Sequence, residues 1–320
     1  MGVLYSQYKA MYLKQTKDYA SIPQGLLQTF HHEFNLGVSK DIVVKMFQNK
    51  RITERDLEIV KFLYIFKFAT GAQLAQLLGG GNTEEALIAR LNKLVNARIL
   101  NKCLLSRVTE NRIFSDSLQI YCLDMGGRYL LANFSNIDVD DWFTSSNMKS
   151  SELISKELIT VDFYLNLFKQ TNGGVEYFLS SHSLQANRMN ITPSFEFSIQ
   201  VDGVRSYFIG EVLRDYDTPF LFREKAQKLE SLLTTNAWKK FFYDNSQAPF
   251  LLLICDDDSL AKEAAQVISQ CTDIERYRIT TRERMKQPLH EVGTFMKYVK
   301  EDDELKGVAS KTFAPDNFQK

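Results

Sequence analysis

The sequence predicts a two-domain α+β chain: a small helical domain closed by a β-hairpin, then a larger α/β domain built on a sheet. Three observations carry this prediction. Residues 52–134 pair three helical apolar stripes with two strand-like runs, and residues 175–213 hold three strand-like runs in succession. A run FLLLIC at 250–255 has the length of a buried strand. With 320 residues the chain has room for two cores. Basic and acidic side chains balance at 39 each, so any affinity for nucleic acid must come from a local basic patch.

Residues 1–50 are expected to form a helical arm, with His31 and His32 as surface residues on it. The first domain, residues 51–134, has its first helix start at Thr53, a hydroxyl cap followed by Glu54 and Asp56, which favour a helix start. Leu57, Val60, Leu63, Tyr64 and Phe68 recur at helical spacing and predict one buried face. Thr70 is expected to cap a second, short helix carrying Leu74, Leu77 and Leu78, stopped by Gly79-Gly80-Gly81. Asn82 or Thr83 then caps a third helix with a core stripe of Leu87, Leu91, Leu94 and Val95. Two strand-like runs, with a loop between them, and a helix ending at Phe134 follow. That order of helix, helix, helix, strand, wing, strand and helix is a winged helix-turn-helix.

The outer face of the third helix carries Asn82, Ala86, Ala89, Arg90, Lys93 and Asn96. Small residues beside long cations suit a helix lying in a major groove: the small ones allow approach and the cations reach bases or phosphates. Arg98, Lys102, Arg107 and Arg112 extend the positive charge toward the wing, with Asn111 and Arg112 at its tip. The expected DNA-binding set is therefore Asn82, Thr83, Ala86, Arg90, Lys93, Asn96, Lys102, Arg107 and Arg112. The competing readings are a solvated charged face on an ordinary bundle and a winged helix that binds protein.

The pieces RDLEIVKFL, ATGAQLAQLL, ARLNKLVNARIL and IYCLDMGGRYLL resemble the replication-relaxation family of mobile-element proteins. The resemblance covers residues 52–134 and, less closely, 150–290. It implies a winged helix followed by a restriction-endonuclease-like domain, and a part in plasmid replication or in DNA relaxation, as in some conjugative relaxases.

Residues 135–150 read as a polar linker. A helix is expected over 151–170, with Leu153, Leu158, Val161, Leu165 and Phe168 inward. The runs VEYFLSS, FEFSIQV and RSYFIGEVL predict three strands, the last two joined by a tight turn at Asp202-Gly203. A helix over 222–234, the strand at 250–255, a helix over 259–270 and a strand over 276–280 complete the domain. Residues 301–320 read as a polar, frayed tail. Helix, three strands, helix, strand is the element order of the restriction-endonuclease-like core.

That core cuts DNA with an Asp, a second acid and a Lys two positions beyond it, around a divalent metal. Pro193 and Glu211 stand where its Pro-Asp and second acid fall, but Ser194 replaces the Asp and Leu213 the Lys. Glu196 lies two residues beyond Ser194 and faces the same side of a strand. Arg214 adjoins the site, and Lys225 or Lys228 on the following helix is placed to supply a displaced cation. The candidate catalytic set is Glu211, Glu196, Arg214, Lys225 and Lys228, with Glu196 and Glu211 holding Mg2+ or Mn2+ if the domain is catalytic. The alternative is a Glu211–Arg214 edge ion pair on a domain that no longer cleaves. Tyr216 reads as a packing residue, and Asp256-Asp257-Asp258 as a solvated turn in which Asp258 or Ser259 caps a helix.

Cys103, Cys122, Cys255 and Cys271 have no CxxC spacing, which argues against zinc and for a reducing compartment. No apolar run approaches membrane-spanning length. The expectation is a cytoplasmic, site-specific duplex DNA-binding protein of a plasmid or other mobile element, with an origin or operator as target. Replication or transfer proteins, or a second copy of the chain, are its expected partners. A metal-dependent nickase or relaxase and a winged-helix transcriptional regulator are the alternatives.

Overall fold

The structure, a computed structural model, describes residues 27–34, 37–78, 84–106, 108–109, 112–113, 118–171, 174–186, 189–201, 204–217, 219–242, 248–301 and 304–310. It is mixed α+β, with eight α-helices among the described residues and a large mixed sheet. The chain divides into two compact units, Met1–Val161 and Asp162–Lys320. Among the described residues no helix is long and apolar enough to cross a membrane.

The first unit contains β1 (Leu27–Phe30), α1 (Lys40–Gln48), α2 (Glu54–Phe66), β2 (Phe68–Thr70), α3 (Gly71–Leu77) and α4 (Glu84–Asn96). Then come β3 (Leu100–Ser106), the short β4 (Val108–Thr109) and β5 (Arg112–Ile113), β6 (Leu118–Leu123) and α5 (Met125–Phe134). The sheet order is β1-β3-β6-β2, with every pairing antiparallel. Local chemistry explains the helix starts. Thr53 N donates to Asp56 Oδ2 at 2.7 Å, and at Thr70 a full capping box forms, with Thr70 N on Gln73 Oε1 at 3.0 Å and Gln73 N on Thr70 Oγ1 at 3.2 Å.

The turn after α4 is closed by Arg98 N on Val95 O and Ile99 N on Leu94 O, with Arg98 itself at φ 56°. Gly126 and Gly127 let α5 dock on this turn: a Cβ at Gly126 would stand 2.6 Å from Arg98 O, and one at Gly127 2.6 Å from Ile99 O.

Several expectations change here. Phe68 is buried, but in β2, because Lys67 takes φ 64° and ends α2 at Phe66. The arm is not wholly helical: Leu27–Phe30 pairs with β3, and its backbone hydrogen bonds continue through His31 N on Lys102 O. His32 is half-buried rather than a surface residue, with Nε2 2.7 Å from Val95 O and its backbone tied to the Asn101 amide. Residues 135–150 are packed, not a loose linker, since Val139, Trp142, Thr144 and Asn147 are buried and Asn147 Nδ2 donates to Leu123 O at 2.8 Å.

The long helix α6 (Ser151–Thr171) carries the boundary between the units within it. Its Leu153 and Phe168 are exposed, contrary to expectation, while Ile154, Leu158, Ile159, Val161, Phe163, Leu165 and Leu167 are buried. The second unit then has β7 (Val175–Ser180), the small hairpin β8 (Leu184–Ala186) and β9 (Met189–Ile191), β10 (Phe195–Val201) and β11 (Val204–Leu213). After them come α7 (Pro219–Thr234), β12 (Phe250–Cys255), α8 (Asp258–Cys271), β13 (Tyr277–Thr281), β14 (Met296–Glu301) and β15 (Glu304–Ala309).

The sheet order is β15-β14-β13-β12-β11-β10-β7. Strands β7, β10 and β11 form an antiparallel meander, and β11, β12 and β13 run parallel through the crossovers α7 and α8. One face packs Phe178, Phe195 and Phe197 against Phe163 of α6. The other packs Ile209, Leu213, Leu251, Leu253 and Cys255 under α7 and α8. The expected tail begins as a strand: residues 304–309 pair with β14 as the sheet's edge, and residues 311–320 lie outside the described residues. Asp257, not Asp258 or Ser259, caps α8, accepting from Leu260 N at 2.9 Å.

Candidate functional site

On the first unit the outward stripe of α4 is Ala86, Ala89, Lys93 and Asn96, all exposed and spaced by three or four residues along one helix face. Two residues assigned to this surface from the sequence behave otherwise. Arg90 turns to the α2 start: Nε donates to Asp56 Oδ1 at 2.8 Å, Nη2 pairs with Asp56 Oδ2, and Nη2 also reaches Arg51 O at 2.8 Å. Asp56 is 2% exposed, so Arg90 is the counter-ion of a buried carboxylate and not an unengaged cation. Burial pushes the Asp56 carboxyl up, but the bonds from Arg90 and Thr53 outweigh it and hold the group below the usual carboxylate value.

Lys102 is half-buried, with Nζ on Asn92 Oδ1 at 3.0 Å, and burial lowers its pKa. A lysine held in this way is withdrawn from the outer surface. Asn82, Thr83, Arg107 and the Arg112 side chain lie outside the described residues, as do Gly79, Gly80, Gly81 and Asn111.

On the second unit the β10–β11 register aligns Phe195 with Gly210 and Glu196 with Ile209. Ser194, Glu196, Ile209, Glu211 and Leu213 therefore share the α7/α8 face. Glu211 is 1% exposed. Its Oε2 accepts from Lys225 Nζ at 2.7 Å and from Ser194 Oγ at 3.1 Å, while Ser194 Oγ itself accepts from Val212 N at 3.0 Å. The displaced cation expected from the following helix is thus Lys225, and Lys228 is exposed.

Glu211 and Arg214 are not each other's ion pair, because each finds another partner and β11 is an interior strand. Arg214 is buried, with Nε on Asp256 Oδ2 at 2.7 Å and its guanidinium 5.4 Å from the Tyr216 ring centre. Asp256 also accepts from Asp215 N at 3.0 Å, so this part of the acidic triplet is a structural acceptor rather than a solvated turn.

Glu196 belongs to a different cluster. It is 3% exposed, its Oε1 lies 2.8 Å from His182 Nδ1, and its Oε2 is buried with no hydrogen-bond partner. Burial raises the Glu196 pKa, and His182 opposes the rise. His182 was missed from sequence: it lies in the irregular stretch before β8, and no spacing rule ties it to Glu196 fourteen residues on.

These donors do not fit a resident divalent metal at Glu211. Glu211 Oε2 is held by an ammonium and a hydroxyl while its Oε1 is buried with no hydrogen-bond partner, a serine stands in the place of the first acid, and Glu196 is engaged by a histidine. Lys225 occupies the electrostatic role a metal ion would take. Among the described residues no three His, Cys, Asp or Glu side chains converge. The cluster pairs the buried Glu211 carboxylate with the Lys225 ammonium and the Ser194 hydroxyl. In comparisons with known proteins, no family model matches the chain and no curated protein matches it.

Proposed function

We propose that the chain is a site-specific duplex DNA-binding protein of a plasmid or other mobile element, acting in the cytoplasm in replication or DNA transfer. In this reading the first unit is a winged helix-turn-helix and α4 is its recognition helix. The observation that carries it is the outward stripe Ala86, Ala89, Lys93 and Asn96: two methyl-sized positions that permit close approach, then a cation and an amide. Arg90 fixes α4 to α2 and so sets the angle at which that stripe is offered.

The second unit is read as a restriction-endonuclease-like domain. Its helix, antiparallel meander, crossover helix and parallel strand support that reading. Lys225 on Glu211 is the cation the nuclease alternative calls for, while Ser194 in place of the first acid supports a role in binding or assembly over cleavage. Partners would be an origin or operator duplex, replication or transfer proteins, and a second copy of the chain if the site is palindromic.

The test is selection of a site from random duplexes, followed by fluorescence anisotropy across salt. Specific binding predicts a cognate site preferred by about 10³ or more over random duplex, with log K falling linearly in log salt. Equal affinity for all duplexes at every salt concentration overturns it. Supercoiled DNA carrying the site should stay intact with Mg2+ or Mn2+, and nicking that Glu211→Ala abolishes would establish the nuclease instead.

A further inference from the structure

The second unit has an open cleft of about 410 Å³ that the DNA-binding reading does not use. Its base is set by the sheet register. Tyr177 aligns with Ser198 on β10, and Ser198 with Tyr207 on β11, so one row across three strands reads Tyr, Ser, Tyr. Strands two apart lie about 9.6 Å from one another. The two ring centres are only 6.4 Å apart with their planes tilted by 40°, so the tyrosines lean over the small Ser198 and form an angled aromatic wall, with Tyr207 the more deeply buried of the two. Phe241 lines the same cleft.

Glu196 stands beside Ser198 on the same face of β10 and also lines the cleft. Its Oε2 is a buried acceptor with no partner, and leaving such a group unpaired is costly. The other acid of the cleft, Glu176, is already matched by Arg205 and by Ser198 Oγ at 3.1 Å. The unmet demand is therefore for a hydrogen-bond donor beside an aromatic wall, and not for an anion.

We propose that this cleft binds a single unpaired guanine base, stacked on Tyr177 and packed against Tyr207 with its N1–H and N2–H2 edge on the Glu196 carboxylate. Guanine is the DNA base that offers two adjacent N–H donors on its pairing edge. A carboxylate has lone pairs for both in addition to the His182 contact. Stacking on tyrosine is open to every base and supplies affinity, while the carboxylate supplies the choice among them. The cleft lies wholly within the second unit, so the proposal stands apart from the role of α4.

The test is calorimetric titration of the full chain with dGMP, dAMP, dCMP and dTMP, which share the phosphate and sugar and need no duplex. The expected result is dGMP binding at least about tenfold tighter than the other three. Glu196→Gln keeps the shape and should cost about ten- to a hundredfold for dGMP while leaving the other three within about twofold. Tyr207→Leu should weaken all four together, with circular dichroism and the melting profile of each variant confirming the fold. Equal binding of all four, no binding, or a dGMP preference that survives Glu196→Gln overturns the proposal. Agmatine bound more tightly than any nucleotide overturns it too, and would reassign the cleft to organic cations.

Discussion

Replacing Arg90 with Ala separates a structural cation from a DNA-contacting one. Asp56 is 2% exposed and receives two bonds from Arg90, besides those from Thr53 N and Oγ1 at 2.7 and 2.8 Å. Without Arg90, a buried carboxylate keeps only its local Thr53 contacts. Hydrogen bonds to charged groups contribute about 1.5–3 kcal/mol each, and orphaning a buried charge costs about 3–5 kcal/mol. The Arg90 side chain is 31% exposed, so solvent screens part of this. About 2–3 kcal/mol is expected.

With a urea slope of about 1–3 kcal/mol per molar, the first unit's midpoint should fall by about 1 M or more. A Trp238→Phe background leaves Trp142, buried in the first unit, as the fluorescent reporter. Arg90→Lys should recover only part of the loss, since an ammonium cannot reproduce the fork on Asp56. A midpoint for Arg90→Ala within about 0.3 M of the parent, together with lost DNA affinity, would refute the ion-pair reasoning.

The neighbouring cation makes the opposite case. Lys93→Ala should leave that urea midpoint unchanged, weaken duplex binding and reduce the slope of log K against log salt by about 1, read by anisotropy. His31 adds a pH dependence to the first unit. Burial first, then the charges of His32, Lys102 and Arg98, lower its pKa from 6.5 to about 4. Between those values the unfolded chain binds the proton more strongly than the folded one, so stability should rise with pH across that window. Urea midpoints at pH 4.5 and 7 should show the rise, and His31→Gln should flatten it. Gly126→Ala sets a Cβ 2.6 Å from Arg98 O, a backbone atom that cannot step aside. A loss of about 1–3 kcal/mol is expected, read by the same fluorescence, and an unchanged midpoint would mean that α5 docks elsewhere.

Local patterns were legible wherever one residue's neighbours in sequence decide its state. The caps at Thr53 and Thr70, the stripe Leu87, Leu91, Leu94 and Val95, the strand at residues 250–255 and the β10–β11 pairing of Val201 with Val204 all follow from periodicity and turn chemistry. Reading failed where polar residues fold onto partners distant in sequence. Residues 135–150 look like a linker because Thr144 and Asn147 are polar, yet Asn147 is satisfied by Leu123 O. The edge strand β15 looks like a tail because its side chains are mostly exposed while its backbone pairs with β14. Leu153 and Phe168 look like core because apolar residues on a long helix are not all on its packed face.

The sequence by itself determined that the chain is mixed α+β and where most helices and strands lie, and it offered Arg214, Lys225 and Lys228 alike as cations for Glu211. Only the tertiary structure decided which cation goes where. Arg90 and Lys93 look alike along the chain, and Asp56, thirty-four residues away, takes one and leaves the other exposed. Lys225 reaches Glu211 across a crossover, Asp256 takes Arg214, and His182 takes half of Glu196. The reason is physical: a charge is costly only once it is buried, and burial and the partner that relieves it are both set by the packing of distant segments.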